Sequence, residues 1–402
     1  TSLLDVRNSI FRLNSGCVNA TSWTCTGGGA YVSGPARILV NGSIFEGNAA
    51  LNAGGMVAMN DYELLVSGTL FKGNMAEYFG GGFSALGGGT FEFLESNFTG
   101  GWARNGGAGA TIENQQTGHF YKCFFFGNEV AQEGGGLSVR DGANVLVEQT
   151  IFTNNTATTA ITESTGAGLN VYQAMVDVVD SVFEGNNAQF PEEFSPLDSI
   201  SGGGAVGLDG ANGSFSRCNF TANTGEHGGA VFAERKSLVY LSNSILSDNY
   251  AQKWGGAVSI HENSFLEVND TSFTQNSAGL GGGALHTHAS RAYLEDAAFR
   301  DNSASGSGGA LAVMESSNLT CAPCPSMVDN RASNNGGAVL AEGGNTNFVM
   351  LTPAVPQPKS TGSDTPGVVG GGSYGTVISM NSAVVHGGGV HVGDGATAWL
   401  QG

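Results

Sequence analysis

Three ionisable side chains hold the same place in successive stretches of this chain. Glu234, His261 and His288 each stand five residues after the second glycine of a Gly-Gly pair, at Gly229, Gly256 and Gly283. If those stretches stack, the column could bind a transition metal or sense pH, since imidazole is a common metal ligand and titrates near neutrality. His286 lies two residues before His288, on the same strand face. The alternative is a row of solvated side chains on a polar face. Cys321-Ala322-Pro323-Cys324 is a Cys-x-x-Cys, which in a reducing compartment suggests redox or zinc chemistry. With no second such pair and no nearby His, a structural disulfide in an oxidising compartment fits better. Cys17 and Cys25 are spaced to close a local loop. Sugar cleavage needs paired carboxylates, or an acidic Ca²⁺ cluster beside a basic residue. Asp177 and Asp180 fall on opposite strand faces, with no stacked partner, and Glu192 and Glu193 lie in an insertion. No catalytic residue, enzyme activity or cofactor is expected.

The stretches that would carry these groups are a repeat. Phe-x-x-Asn recurs at Phe11–Asn14, Phe45–Asn48, Phe71–Asn74, Phe125–Asn128, Phe152–Asn155, Phe183–Asn186, Phe220–Asn223, Phe273–Asn276 and Phe299–Asn302. Leu246–Asn249, Met327–Asn330 and Ile378–Asn381 keep the Asn and change the first residue. Gly-Gly pairs follow, usually seven or eight residues later, and typical spacing is 25 to 29 residues. A fixed period in this range means a solenoid. Sixty-five glycines exclude helical repeats, at about 1 kcal/mol each relative to alanine. The remaining stretches, such as Ser264-Phe265-Leu266-Glu267-Val268-Asn269, alternate with period two, as strands do.

The expected architecture is an all-β, single-chain parallel β-helix of about 13–15 coils with three short strands per coil, stacked at the strand spacing of about 4.8 Å. The Phe stacks on itself in the core. The Asn sits at a corner, where it tolerates left-handed backbone and hydrogen-bonds up and down its column. Gly-Gly permits a sharp turn. Cys123 and Cys218 each precede a repeat's hydrophobic core position by two residues and so point inward as small buried hydrophobes. They lie three coils apart, about 14 Å, too far to bridge. One coil departs: Phe98-Thr99-Gly100-Gly101 has no Asn, and around Gly166-Ala167-Gly168 the Gly pair is degraded, so local distortion is expected at both. The whole of 1–402 is read as one continuous β-helix, with loop insertions near 156–167, 187–201 and 343–369. Both ends fall in mid-repeat, which suggests a piece of a longer chain or a protomer completed by its neighbour.

The paired motif resembles the polymorphic outer membrane protein repeat, whose signatures are GGA[I/V/L] and FxxN, and the resemblance covers nearly the whole chain. It implies a right-handed β-helix, secreted or displayed on a surface. Such proteins occur in bacteria as adhesin-like passengers and in algae and protists as large extracellular proteins.

Composition narrows the partners. The net charge is −19 with 15 basic residues, which argues against nucleic acid and against an anionic membrane surface. No apolar run approaches the roughly 20 residues of a spanning helix. Asn-x-Ser/Thr occurs at Asn19, Asn41, Asn97, Asn154, Asn212, Asn219, Asn269 and Asn318, and none of the twelve corner Asn lies in such a sequon. A glycan-bearing Asn must face water, whereas a ladder Asn must not. These features point to an N-glycosylated extracellular structural rod: part of a filament, wall or surface appendage such as a flagellar hair. Its partners would be copies of itself or other structural proteins. A glycan-binding adhesin acting through its insertions is the second reading, and a polysaccharide lyase or hydrolase the third.

Overall fold

The computed structural model describes residues 2–16, 26–158, 166–188, 202–323, 326–351 and 377–401. Among them there is no helix. Each coil contributes one strand to each of four parallel sheets, and consecutive coils are neighbours in every sheet. The first sheet has 14 strands and the other three have 13. The coil count matches the expectation, but each coil has four strands, not three. The first sheet contains Ala36–Asn41 and Tyr62–Ser67, and the second Ile44–Glu46 and Leu70–Lys72. The fourth contains Met56–Met59 and Phe83–Leu86. The additional third sheet is built from two-residue strands just after the corner Asn, such as Ala49–Ala50 and Met75–Ala76. Two residues are too few for alternation to register in the sequence.

The alternating pattern does what period two requires. In Ala36–Asn41, Ala36, Ile38 and Val40 are buried, while Arg37 and Asn41 are exposed. The registers then place like on like: Phe45, Phe71 and Phe98 are directly paired, as are Phe125, Phe152, Phe183 and Phe220. Their rings lie nearly parallel, with centroids 4.8 Å apart from Phe125 to Phe152, Phe152 to Phe183 and Phe183 to Phe220. Offset stacking at this distance adds to the burial of each ring. Leu246, Met327 and Ile378 fill the same column where Phe is absent.

Beside the rings runs a column of buried amides. Asn223 Oδ1 accepts from the backbone N–H of Asn186 and from its Nδ2, both at 3.0 Å. Asn223 Nδ2 donates to Phe183 O at 2.9 Å and to Asn249 Oδ1 at 3.0 Å. The pattern repeats from Asn128 through Asn155, Asn186, Asn249, Asn276, Asn302 and Asn330 to Asn381. The corner Asn is not the left-handed residue, however. Positive φ falls on the residue just before it, such as Gly127 at 59°, Ala222 at 54° and Asp301 at 54°. The Asn is held by its side chain, and its neighbour makes the bend.

The coil without Asn is less disturbed than expected. Phe98 stacks on Phe71 at 4.8 Å and on Phe125 at 4.7 Å, so the aromatic column passes through. Only the amide ladder is interrupted: Gly101 N–H donates to Asn128 Oδ1 at 3.0 Å but offers no side chain to Asn74. The Gly-Gly corner is steric. A Cβ on Gly256 would stand 2.0 Å from Gly283 O, and Gly255 has φ +69°. Cys123 and Cys218 are buried free thiols, and they occupy a column of hydroxyls. The N–H of Cys123 donates to Thr150 Oγ1 and that of Cys218 to Ser244 Oγ, as the N–H of Thr150 donates to Ser181 Oγ. The insertions expected near 156–167, 187–201 and 343–369 fall largely outside the described residues, as do Cys17, Cys25, Cys324, Glu192, Glu193 and Asn19.

Candidate functional site

Several buried ionisable groups among the described residues lie on the outer face of the fourth sheet, Asp209, Glu234, His261 and His286 among them. Strand periodicity puts every second residue of this sheet outward, yet all four residues of Val231–Glu234 are buried. The cover is the corner segment preceding each Gly-Gly turn, which folds across the sheet. Isolated parallel bridges tie these segments together: Phe79 to Gly106 to Glu133, and Trp254 to Gly281 to Ser307. The contact layer between sheet and cover, a slot filled by their own side chains, runs from coil to coil.

One outward column along this slot is titratable over several coils. Arg140, Tyr172, Asp209 and Glu234 are in direct register. The pairings of Ala233 with Ile260 and of Ile260 with Thr287 carry the same column on to His261 and His288. The sequence therefore places Glu234, His261 and His288 in neighbouring coils, as spacing suggested. They are not solvated: Glu234 and His261 are buried and His288 is half-buried. Among the described residues, no group of three or more His, Cys, Asp or Glu is arranged to hold a metal ion.

At one end of the column Arg140 lies between two rings, 5.0 Å from the centroid of Phe79 and 5.3 Å from that of Tyr172. Asn170 Nδ2 donates to Glu133 Oε2 at 3.2 Å. Burial pushes the Glu133 carboxyl up to about 7, against the pull of Arg140. Burial likewise raises Asp209 to about 6, with the charge of Glu262 adding to it. Arg235 Nη1, 2.7 Å from Asp209 Oδ2, opposes that shift as a neighbouring cation.

At the other end is a histidine cluster. The ring of His261 is 5.3 Å from His227, 5.1 Å from His286 and 5.4 Å from His288, centroid to centroid. His286 stacks on Trp254 at 4.8 Å, and His261 packs against Phe232 at 5.3 Å. Ser259 Oγ lies 2.9 Å from both His261 Nε2 and His286 Nδ1. Burial drives His227 down to about 4 and holds His261 and His286 well below the usual imidazole range, with the neighbouring rings adding to the effect. Lys253 Nζ and Glu226 Oε1 pair at 2.6 Å beside them. Several buried polar atoms on this face have no protein partner: Ser84 Oγ, Ser138 Oγ, Arg140 Nε, Asn170 Oδ1, His227 Nδ1 and His261 Nδ1.

Ser259 and His261 do not make a nucleophilic pair. Ser259 is fully buried, its oxygen is shared between two rings, and no group orients His261 at Nδ1. Glu133 and Asp209 can hold protons near neutrality, but each is engaged by its own partner, an amide and a guanidinium. Elsewhere, Asp177 is exposed and Asp180 is clasped by Arg217 at 2.6 and 3.0 Å. Of the sequon asparagines, Asn41, Asn97, Asn154, Asn219, Asn269 and Asn318 are exposed and Asn212 is half-buried. Cys321 is buried and engaged.

Spacing found the Glu234, His261 and His288 column but not Glu133, Asp209 or His227. The available signal was the bulky or charged residue directly before the Gly-Gly turn: Phe79, Glu133, His227 and Trp254.

Residues 119–299 match the family model described as the right handed beta helix region. The same four ladders continue through the coils on both sides of that segment, so the fold is a right-handed parallel β-helix. No curated protein and no solved structure matches the chain.

Proposed function

We propose that this chain is a non-catalytic structural module: a rod in an extracellular filament, wall or surface appendage, N-glycosylated along its sides. One observation carries the reading. The residues that recur in most coils meet their own counterparts in the next coil, Phe stacked on Phe and Asn bonded to Asn, so the repeat is directed along its own axis. Three further features support it. The sequon asparagines that are described lie outward, while the corner asparagines from Asn48 to Asn330 are buried. The resemblance to polymorphic outer membrane protein repeats, whose members are secreted or surface-displayed, points the same way. No described helix is long and apolar enough to cross a membrane. The partners would be further copies or other extracellular structural proteins, and a flagellar hair is one setting in which such a rod would serve.

The test is biochemical. Native protein is weighed intact before and after enzymatic glycan removal, then incubated with acidic polysaccharides and applied to a glycan array. Glycan mass on the exposed sequons, with no release of reducing ends and no specific array binding, is the expected result. Reducing-end release would replace the proposal with an enzyme, and defined glycan binding by a monomer would replace it with an adhesin.

A further inference from the structure

We propose that the histidine cluster is an acid-operated latch, which holds the corner cover against the fourth sheet at neutral pH and releases it on acidification. The argument starts from hydrogen-bond bookkeeping. A serine hydroxyl has one proton to give. Ser259 bonds His261 Nε2 and His286 Nδ1 at 2.9 Å each, so it donates to one ring and accepts from the other. That arrangement suits two neutral imidazoles. Once both rings carry a second proton, each of those nitrogens is a donor; the hydroxyl must accept from both, and its own proton loses its acceptor. In its charged form His261 carries an N–H at Nδ1, which is buried and has no partner, and the same holds for His227 Nδ1. The rings are in contact, so successive charges repel across about 5 Å in a site from which water is excluded.

The surrounding charges relieve this only in part, since Glu226 favours a proton on His227 while Lys253 opposes it. Facing the cluster from the cover are Glu226 and Lys253, already paired at 2.6 Å. From the sheet and its turn come Glu234, itself engaged, together with Asp209 and Arg235, paired at 2.7 Å, and Glu262, which is exposed. None is left over to neutralise three or four imidazolium ions.

The cluster also spans the joint that would open. His227 and Trp254 belong to the cover, whereas His261, His286 and His288 belong to the fourth sheet and its turn. The Trp254–His286 stack and the contacts of His227 with His261 and Phe232 reach across the slot at these coils. The core behind the sheet is separate: Val231, Val258 and Leu285 point inward into the continuous apolar cluster. Opening therefore leaves this core in place and breaks the backbone bonds that tie the cover from coil to coil, such as Lys253 N to Glu226 O and Gly228 N to Trp254 O.

The sign follows from linkage. The folded-state proton affinities of His227, His261 and His286 are depressed, so their contribution is fully present above an ordinary imidazole pKa of about 6.5 and is lost as pH falls below it. His227 marks the lower end, at about 4. Each proton taken up on opening makes the open state up to about tenfold more populated per pH unit.

The test is hydrogen exchange by mass spectrometry on the full chain at pH 7.0, 6.0 and 5.0, with rates corrected for intrinsic exchange. The expected result is a loss of protection of at least tenfold between pH 7 and 5 in peptides covering 226–234 and 252–262. Peptides covering the Phe–Asn strands at 124–128 should be unchanged. Equal protection at all three values in the cover peptides, or a loss shared by every coil, would overturn the proposal. The double variant His261→Gln/His286→Phe removes two titrating rings while keeping a ring against Trp254. It should flatten the response, and a response equal to wild type would also overturn it. If the variant does not fold, the wild-type profile alone decides.

Discussion

Asn223→Ala examines the amide ladder where the geometry is most complete. The side chain makes four hydrogen bonds, to Asn186 N and Nδ2, Phe183 O and Asn249 Oδ1, all between 2.9 and 3.0 Å. Alanine removes all four. Asn249 Oδ1 keeps a donor, because the backbone N–H of residue 223 still reaches it at 3.1 Å. Two groups are then orphaned in the interior, Asn186 N–H and one hydrogen of Asn186 Nδ2, because Phe183 C=O keeps the ladder N–H of Thr221. Taking about 1–2 kcal/mol each, since a water can enter the vacated space, the loss is about 2–4 kcal/mol. That is a large fraction of the roughly 5–15 kcal/mol that holds a typical domain. Asn381→Ala, at a half-exposed rung, should cost about 1–2 kcal/mol, because solvent can satisfy what it leaves. Asn144→Ala, at an exposed strand position, should stay within about 0.5 kcal/mol. Urea denaturation followed by far-UV circular dichroism reads all three. If Asn223→Ala and Asn144→Ala unfold at the same urea concentration, the ladder is incidental and the reasoning fails.

Other outcomes follow from the same geometry. Phe152→Ala should cost about 3–5 kcal/mol and Phe152→Leu far less, since Leu246 already occupies that column; equal thermal shifts would contradict this. Cys218→Ser should leave stability within about 1 kcal/mol, because serine is the usual occupant of its column, whereas Cys218→Val should cost more by removing the Sγ contacts to Val178 O and Ser216 O. Glu133 has a raised folded-state pKa of about 7, so its contribution is complete below an ordinary carboxyl value and is lost as pH rises through 7. Glu133→Gln should remove a slope that approaches about 1.4 kcal/mol per pH unit, measured as urea midpoints between pH 5 and 8. Its sign is opposite to that of the histidine cluster. Glycopeptide mapping should find occupancy among Asn41, Asn97, Asn154, Asn219, Asn269 and Asn318, and none at Asn48, Asn128 or Asn223.

The stacking of Phe71, Phe125 and Phe152 and the pairing of Asn128 with Asn155 were legible in the sequence because each coil repeats the same demand at nearly the same spacing. What escaped is local or long-range. The Ala49–Ala50 strand is too short to alternate. The left-handed corner belongs to residues as different as Gly127, Ala222 and Asp301, so composition at that position carries no common signal. The burial of Glu234 and His261 depends on a cover contributed by residues around 226–228 and 252–255. Alternation along a strand reports which way a side chain points, not what lies above it. An outward His therefore reads as solvated until Trp254 and His227 are placed over the sheet. Small residues at neighbouring outward positions, Ser84, Thr111, Ser138 and Ser259, were the one hint that something packs there.

The most direct test of a structural role is electron microscopy and fibre diffraction of material taken from the native source without refolding. Rods joined along their axes should appear as filaments, with a reflection near 4.8 Å on the meridian, the spacing from one coil to the next. Dispersed single particles at every concentration, with no ordered assembly on the cell surface, would contradict the account.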